Sequence, residues 1–338
     1  MIRVSILKVR LRKKSAHAVA IAAAVTMVLI SGCSATPSQI DQTNSWSAPV
    51  RIEPASLSSG DSSLYGVSCA SSTFCVAVDE SGSALFWRSG RWSSPQAVGA
   101  GGTLNSVSCP TTTFCMAMSA GGNAVNYNGQ SWSTPVTVGP SATYEVSCPT
   151  VTFCATAAAS GTPGAPSTVG TFNGSSWSTF QTSTTGALND RIMDVSCATP
   201  TFCVAVNLDG HAIIFDGTGW STSRATGTKG LFSVSCPSAS FCMAVAASGS
   251  SVTFDGTSWS ISGAMPGFQT GFTRSVSCAS TTTCTALGLS GLAADWHKGR
   301  WTTPVLVFPG GGMGAVSVSC ATSNSCVAVN SKGSAATN

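Results

Sequence analysis

The chain is expected to be all-β, a seven-bladed β-propeller of four-stranded antiparallel blades, and three observations carry that expectation. The stretch Val67-Ser-Cys-Ala-Ser-Ser-Thr-Phe-Cys-Val-Ala-Val78 returns six times with variations, placing cysteine pairs at 69/75, 109/115, 148/154, 197/203, 236/242, 278/284 and 320/326. First members of consecutive pairs lie 40, 39, 49, 39, 42 and 42 residues apart. Self-similarity near that period, built from short β-type segments, marks blades that bury their faces only against neighbours. The second observation is that each copy holds four such segments. The third is that the last copy stops short, and the start of the domain carries the piece it lacks.

Within a unit the first segment ends in Val-Ser-Cys and the second reads Cys-Val-Ala-Val or a variant. The third ends in an aromatic residue (Trp87, Tyr127, Phe172, Phe215, Phe254, Trp296), and the fourth begins at a tryptophan (Trp92, Trp132, Trp177, Trp220, Trp259, Trp301). Turn residues separate them: Asp79 to Gly82 or Asn207 to Gly210 between second and third, and Asn128-Gly129, Asn173-Gly174, Asp216-Gly217 and Asp255-Gly256 between third and fourth. Such dipeptides supply the positive φ that tight turns require. Two residues after the second cysteine stands a small side chain, Ala77, Ala117, Thr156, Ala205, Ala244, Ala286 or Ala328, with apolar neighbours on the opposite face. A strand with little charge on either face is covered on both sides, as between adjacent blades.

The seventh copy ends at Asn338, where alignment with Ser81 to Trp87 places the end of a third strand. Ser45-Trp46-Ser-Ala-Pro-Val50 matches Arg91-Trp92-Ser-Ser-Pro-Gln96, so the N-terminal segment is expected to complete the last blade and close the ring. The domain then spans residues 45–338, about forty-two residues per blade. In each blade the two cysteines flank a hairpin and are expected to form a local disulfide: Cys69–Cys75, Cys109–Cys115, Cys148–Cys154, Cys197–Cys203, Cys236–Cys242, Cys278–Cys284 and Cys320–Cys326. Zinc sites prefer two to four residues between cysteines and usually recruit histidine. Here five intervene, and beyond the leader only His211 and His297 remain, in unrelated contexts. No metal or cofactor is expected.

Residues 1–32 read as an export signal, with a basic opening (Arg3, Lys8, Arg10, Arg12, Lys13, Lys14) and an apolar run from Ala18 to Ile30. The run ends in Ile30-Ser31-Gly32-Cys33, which resembles the bacterial lipobox. That resemblance implies cleavage before Cys33, a diacylglyceryl group on its thiol, and anchoring at the extracytoplasmic face of a membrane. Cysteine arithmetic agrees, because fifteen cysteines leave Cys33 over once seven pairs are formed. Residues 33–44 are polar and without periodicity, as suits a flexible tether. With the signal removed, ten basic groups face twelve acidic ones, a balance of about −2. The basicity belongs to the signal, and no nucleic-acid partner is expected.

The turns Asp216-Gly217-Thr218-Gly219-Trp220 and Asp255-Gly256-Thr257-Ser258-Trp259 resemble the Asp-box of sialidases and related propellers, although the family's motif places a residue between aspartate and glycine and sets the tryptophan one position later. The Val-Ser-Cys…Phe-Cys repeat as a whole resembles repeats of secreted actinobacterial proteins. The first likeness implies a propeller and, as one option, carbohydrate chemistry: sialidase-type catalysis uses an arginine cluster, a tyrosine nucleophile with a glutamate partner, and an acidic proton donor. The chain beyond its signal has three tyrosines (65, 127, 144) and three glutamates (53, 80, 145), none in a matching motif, and Tyr127 sits at the repeated aromatic position of the core.

Function is sought where the copies diverge, because structural positions recur and recognition positions need not. Divergence concentrates just before each Val-Ser-Cys, where a propeller chain enters its innermost strand at one mouth of the central channel. Glu145, Arg191, Asp194 and Arg274 fall there, out of only twenty-two charged residues after the signal, together with Tyr65, Asn105, Tyr144 and Phe232. An insertion, Ala157 to Thr168, is placed in a second-to-third strand connection on the same side. These eight residues form the candidate contact surface for an unidentified envelope protein or glycan. The expected function is that of a non-catalytic, membrane-anchored binding or scaffolding lipoprotein. The alternative is a carbohydrate-active propeller, either a lectin or a sialidase-like glycoside hydrolase. One tryptophan per blade at a strand start is read as packing between blades rather than as sugar contact.

Overall fold

The computed structural model describes residues 45–54, 63–139, 142–160, 167–178, 181–182, 191–268, 273–309 and 314–338. The expected signal and tether, Cys33 included, lie outside these residues, and Tyr144 is described in its backbone only. The described residues form seven antiparallel sheets and no helix, so the domain is a seven-bladed β-propeller. In the first blade the strands run Leu64–Ser71, Phe74–Asp79 and Ser83–Arg88 from the channel outward, and the other blades repeat that order. Innermost strands of consecutive blades lie against one another, and Ala315–Thr322 of the last meets Leu64–Ser71 of the first, which closes the circle.

Closure is made by the N-terminal segment, as the repeat arithmetic requires. Val50–Arg51 pairs with the last strand, Ser334–Thr337, in the register Val50↔Ala335 and Arg51↔Ser334. The match with other blades extends to single hydrogen bonds. Ser93 N–H donates to Phe86 O at 2.8 Å while Phe86 N–H donates back to Ser93 Oγ at 3.0 Å. Ser47 does the same to Thr337 at 2.7 and 3.0 Å. In six blades the hydroxyl after the tryptophan thus stands in for a backbone carbonyl, recurring at Ser133, Ser178, Ser221 and Thr302.

That substitution explains why the outermost strand is less regular than expected. After Trp92 and its hydroxyl the chain leaves the ladder at Ser94-Pro95, where proline has no N–H to give, and rejoins it at Gln96–Ala97. The fourth blade lacks the proline and leaves the ladder at the same place, after the Ser221 hydroxyl has taken Ile214 N–H, whereas in the fifth blade Ser260 pairs within the ladder and Trp259–Ala264 is one continuous strand. In five blades the tryptophan packs across the hairpin on the aromatic residue closing the third strand, with ring centroids 5.3–5.6 Å apart, as in Trp87–Trp92, Tyr127–Trp132 and Phe254–Trp259.

The turns between third and fourth strands take two forms. Ser89-Gly90 and Lys298-Gly299 have positive φ at both positions, the two-residue turn whose twist matches that of the strands. In other blades an Asn or Asp side chain caps the turn. Asp216 Oδ1 accepts from Thr218 N–H, Thr218 O–H and Gly219 N–H at 2.9, 2.7 and 3.0 Å, and these bonds hold its carboxyl down at about 2. Asp255 is lowered by the same arrangement. Both aspartates are occupied within their own turns.

Buried apolar residues form seven clusters, each drawn from two consecutive blades. The cluster across the closure joins Leu64, Val67 and Leu85 of the first blade to Val327, Val329 and Ala335 of the last. The small residue of each second strand lies at the contact plane and is at most 1% exposed at all seven positions. Seven disulfides join the cysteines within each blade, as the spacing implied.

Candidate binding site at the channel mouth

Two rings of side chains stitch the innermost strands together, and the site arises where one ring is interrupted. In the regular ring the serine of every Val-Ser-Cys accepts the cysteine N–H of the next blade at 2.9 Å. Ser68 takes that of Cys109 and the circle runs round to Ser319, which takes that of Cys69. The role of this serine was visible only as its constancy within the chain's own repeats.

The second ring uses the residue immediately before the repeated valine: Gly66, Ser106, Glu145, Asp194, Ser233, Ser275 and Ser317. Where it is serine, its hydroxyl accepts the valine N–H of the next blade, Val146, Val276, Val318 or Val67, at 3.2–3.3 Å. At Gly66 the hydroxyl is missing. A Cβ there would meet nothing closer than 3.4 Å, and the backbone is not in the left-handed region. Gly66→Ser is therefore expected to supply the absent acceptor to Val107 N–H and to raise stability by about 1 kcal/mol. Urea unfolding at constant m-value measures it; an unchanged midpoint would show that the amide gains nothing from a hydroxyl.

The other two departures are acids in adjacent blades. Asp194 keeps the ring's task with one oxygen: Oδ2 accepts Val234 N–H at 2.9 Å and Ser233 O–H at 2.8 Å. Its Oδ1 takes Val195 N–H at 2.8 Å, the amide that Glu145 would otherwise have served. Glu145 instead accepts from the Ser106 hydroxyl and faces Asp194. Both side chains reach the channel, yet the surrounding wall strips most water from them. Desolvation, and then the Asp194 charge, push Glu145 up to about 8 against the pull of Ser106 and Arg274. Desolvation likewise raises Asp194 to about 6, against its three hydrogen bonds and Arg274.

Around this pair lies a cavity of about 540 Å³ at the mouth where innermost strands begin. Seven of the eight residues expected from sequence line it: Tyr65, Asn105, Glu145, Arg191, Asp194, Phe232 and Arg274. The side chain of Tyr144, the eighth, lies outside the described residues. Ala159 and Leu208, at the ends of second strands, join the wall, as do Met193 and Val316; the last two lie in the divergent stretches before Val-Ser-Cys, whereas Ala159 and Leu208 are apolar and gave no signal in the sequence. The Arg274 guanidinium lies 5.5 Å from the Phe232 ring centroid, within cation–π range. The Asn105 Oδ1 is buried without a hydrogen-bond partner among the described residues. The insertion in the third blade lengthens the second strand to Phe153–Ser160, and the next begins at Thr168; residues 161–166 lie outside the described set.

A second carboxyl pair sits at the closure, where Glu53 and Asp79 are buried side by side at 4% and 1% exposure. Asp79 Oδ1 accepts Ser83 N–H at 2.7 Å, and Arg51 Nε donates to the Glu53 carbonyl at 3.0 Å. Burial first, then the Asp79 charge and hydrogen bond, raise Glu53 to about 7. Glu53, Glu145 and Asp194 thus hold protons more tightly folded than unfolded. Their stabilising contribution is complete below the unfolded values near 4 and is lost as pH rises through about 6 to 8. The urea midpoint is expected to be lower at about pH 9 than at about pH 5, and Glu53→Gln to flatten that slope. A midpoint that rises over this range would refute it.

No family model matches the chain, and no curated protein matches it in sequence. Among solved structures, it is similar to the WD40 β-propeller domain of Doa1, with a TM-score of 0.66 and 14% identity over 85% of this chain and 96% of that one. It is also similar to YCF48 bound to D1 peptide, with a TM-score of 0.63 and 13% identity over 90% and 98% of the two chains. YCF48 from Cyanidioschyzon merolae gives 0.62 and 13% over 86% and 98%. At these identities the likeness establishes the propeller fold.

Proposed function

We propose that this chain is a non-catalytic binding or scaffolding module that takes its partner at the channel mouth, displayed outside the cell membrane by a lipid on Cys33. One observation carries the reading: recurring residues are spent on closure, inter-blade packing and the serine rings, whereas the charged and aromatic departures converge on one cavity. The propeller relatives are consistent with it, one of them having been solved with a peptide bound. Changing Tyr144, Glu145, Arg191 and Arg274 together is expected to abolish capture of a cross-linked partner from native envelopes while the thermal melt is kept. Unaltered capture of a verified partner would discard the site. Lipid anchoring is tested separately: Cys33→Ser should release the chain from membranes and prevent its labelling by a fatty-acid probe.

A second reading, a hydrolase of acidic sugars, is favoured by the convergence of Arg191, Arg274, Tyr65, Glu145 and Asp194 on one cavity. A panel of chromogenic glycosides tests it, and turnover lost in Glu145→Gln would displace the binding reading.

A further inference from the structure

The channel mouth has an imbalance of hydrogen-bonding groups that points to what it holds. The Arg274 guanidinium lies over Phe232 and acts on Glu145 and Asp194 through its charge, but neither it nor the Arg191 side chain has an ion pair or side-chain hydrogen bond among the described residues. A guanidinium presents several donors in a fixed fork that matches a carboxylate two at a time. In a seven-sector ring, the sixth sector, which carries Arg274, lies opposite the boundary between the second and third, which carry Asn105 and Glu145. Asn105 offers a buried acceptor that lacks a donor. The cavity therefore offers an unused cationic donor group at Arg274, an unused neutral acceptor facing it at Asn105, and a second cationic donor group at Arg191 in the fourth sector between them. A carboxylate with an N–H or O–H one or two bonds away satisfies both.

Resting on the reading of this mouth as the binding site, we propose that it takes a carboxylate group bearing an adjacent hydrogen-bond donor, and that uptake of this anion is coupled to uptake of one proton by the Glu145–Asp194 pair. The titratable and charged groups facing the pair are Tyr65, Arg191 and Arg274, with Ser106 and Ser233 as its hydrogen-bond donors. With one proton on the pair the cavity carries a net positive charge from the two arginines; with none it is neutral. An incoming anion occupies Arg274, weakens its hold on the carboxylates and adds negative charge beside them. Each effect favours the protonated pair. Protonated Glu145 can in turn donate its O–H to the ligand, which an ionised carboxylate cannot do. The direction follows: affinity is highest in weak acid and falls as pH rises past the point where the pair loses its proton.

The same carboxylate chemistry could come from a peptide end or from an acidic sugar, and separate probes distinguish them. Purified, disulfide-intact protein with ¹⁵N-labelled arginine is titrated with N-acetylglycine, with N-acetylglycinamide and with glucuronate, following the Arg274 and Arg191 Nε–H signals. N-acetylglycine is expected to give saturable shifts, with affinity about tenfold weaker near pH 9 than near pH 6, because the pair ionises around pH 8. The amide should give none, and glucuronate competes only if acidic sugars are accepted. Glu145→Gln, which stays neutral, should bind at every pH with the slope gone, whereas Arg274→Gln should lose binding while keeping its thermal melt.

Equal shifts by the amide, no saturable shift, or a pH-independent wild-type affinity would each overturn the proposal. The arms also separate it from the reading beneath it. Partner capture that depends on the mouth, together with no carboxylate binding, rejects the ligand class and keeps the site. Carboxylate binding that survives Arg274→Gln rejects this placement of the ligand.

Discussion

A chain lacking residues 45–53 is expected not to fold to a monomeric ring. The removed segment supplies Trp46 to the cluster of Leu287, Val307, Phe308 and Cys326, and Ile52 to the cluster across the closure. Besides the ladder of Val50–Arg51, it makes four hydrogen bonds with the last strand and the turn before it: Ser47 N–H to Thr337 O, Thr337 N–H to Ser47 Oγ, and Ile52 and Glu53 N–H to Gly333 O, at 2.7–3.1 Å. Truncating a half-buried tryptophan costs about 2 kcal/mol, below the range for full burial, and each hydrogen bond contributes about 1 kcal/mol. The sum is comparable with the 5–15 kcal/mol that separates most domains from their unfolded chains.

The deletion does more than subtract. It uncovers the free edge of Ser334–Thr337, a template for pairing with another molecule, so aggregates or strand-exchanged oligomers should replace the monomer. Size-exclusion chromatography and circular dichroism report both outcomes. A synthetic peptide of residues 45–54 added in trans should restore the monomer, because its contacts are to the last blade and to the sixth and first blades beside it, whose own strands do not include these residues. The milder Trp46→Ala is expected to cost about 2 kcal/mol, or roughly 4–8 °C in melting temperature. A wild-type melt for the deletion would mean that the ring does not depend on this strand.

The closure was legible because it follows from counting. Seven cysteine pairs demand seven tryptophan-led strands, and the one without a preceding pair stands at Trp46. The disulfides were legible for a similar reason, since five residues between cysteines on neighbouring strands leave little freedom in pairing. The site was legible in part, through deviation from the repeat: Glu145 and Asp194 stand where serine stands in four other blades. What deviation could not reveal was that these two carboxyls meet. Glu145 and Asp194 are 49 residues apart, the spacing of the one enlarged repeat, and only the ring places them side by side. Glu53 and Asp79 escaped for the same reason, since their meeting depends on the last blade touching the first. Three of the broken outermost strands were readable in principle from Pro95, Pro135 and Pro304, each three residues after a tryptophan, where the ladder loses a donor; the fourth blade breaks at Ser221–Ser223 without one.

Reduction of the seven disulfides is expected to unfold the domain outright, and the composition of the core explains why. The clusters between blades are built mainly from alanine, valine and cysteine, and the plane of closest approach is lined by Ala77 and its six counterparts. Small side chains bury little apolar area apiece, so each interface has a modest hydrophobic contribution. A bridge across a loop of about seven residues adds roughly 2 kcal/mol by the chain-entropy model. It also fixes the cysteine whose N–H is held by the serine of the preceding blade, as Ser196 holds Cys236 at 2.9 Å. Replacing Cys236 and Cys242 by alanine is expected to cost about 2 kcal/mol, more than the roughly 1 kcal/mol for Ser235→Ala, which removes one inter-blade acceptor. Alanine is the appropriate replacement because these cysteines are only 5% and 0% exposed, and serine would bury hydroxyls without assured partners. Loss of all seven bridges removes on the order of 14 kcal/mol on this scale, as much as the whole net stability of a typical domain. Residues 45–338 produced in a reducing cytosol should therefore be unfolded and degraded, and recovered only on oxidative refolding. A cytosolic product with free thiols and a native circular-dichroism spectrum would show that the thin core suffices alone.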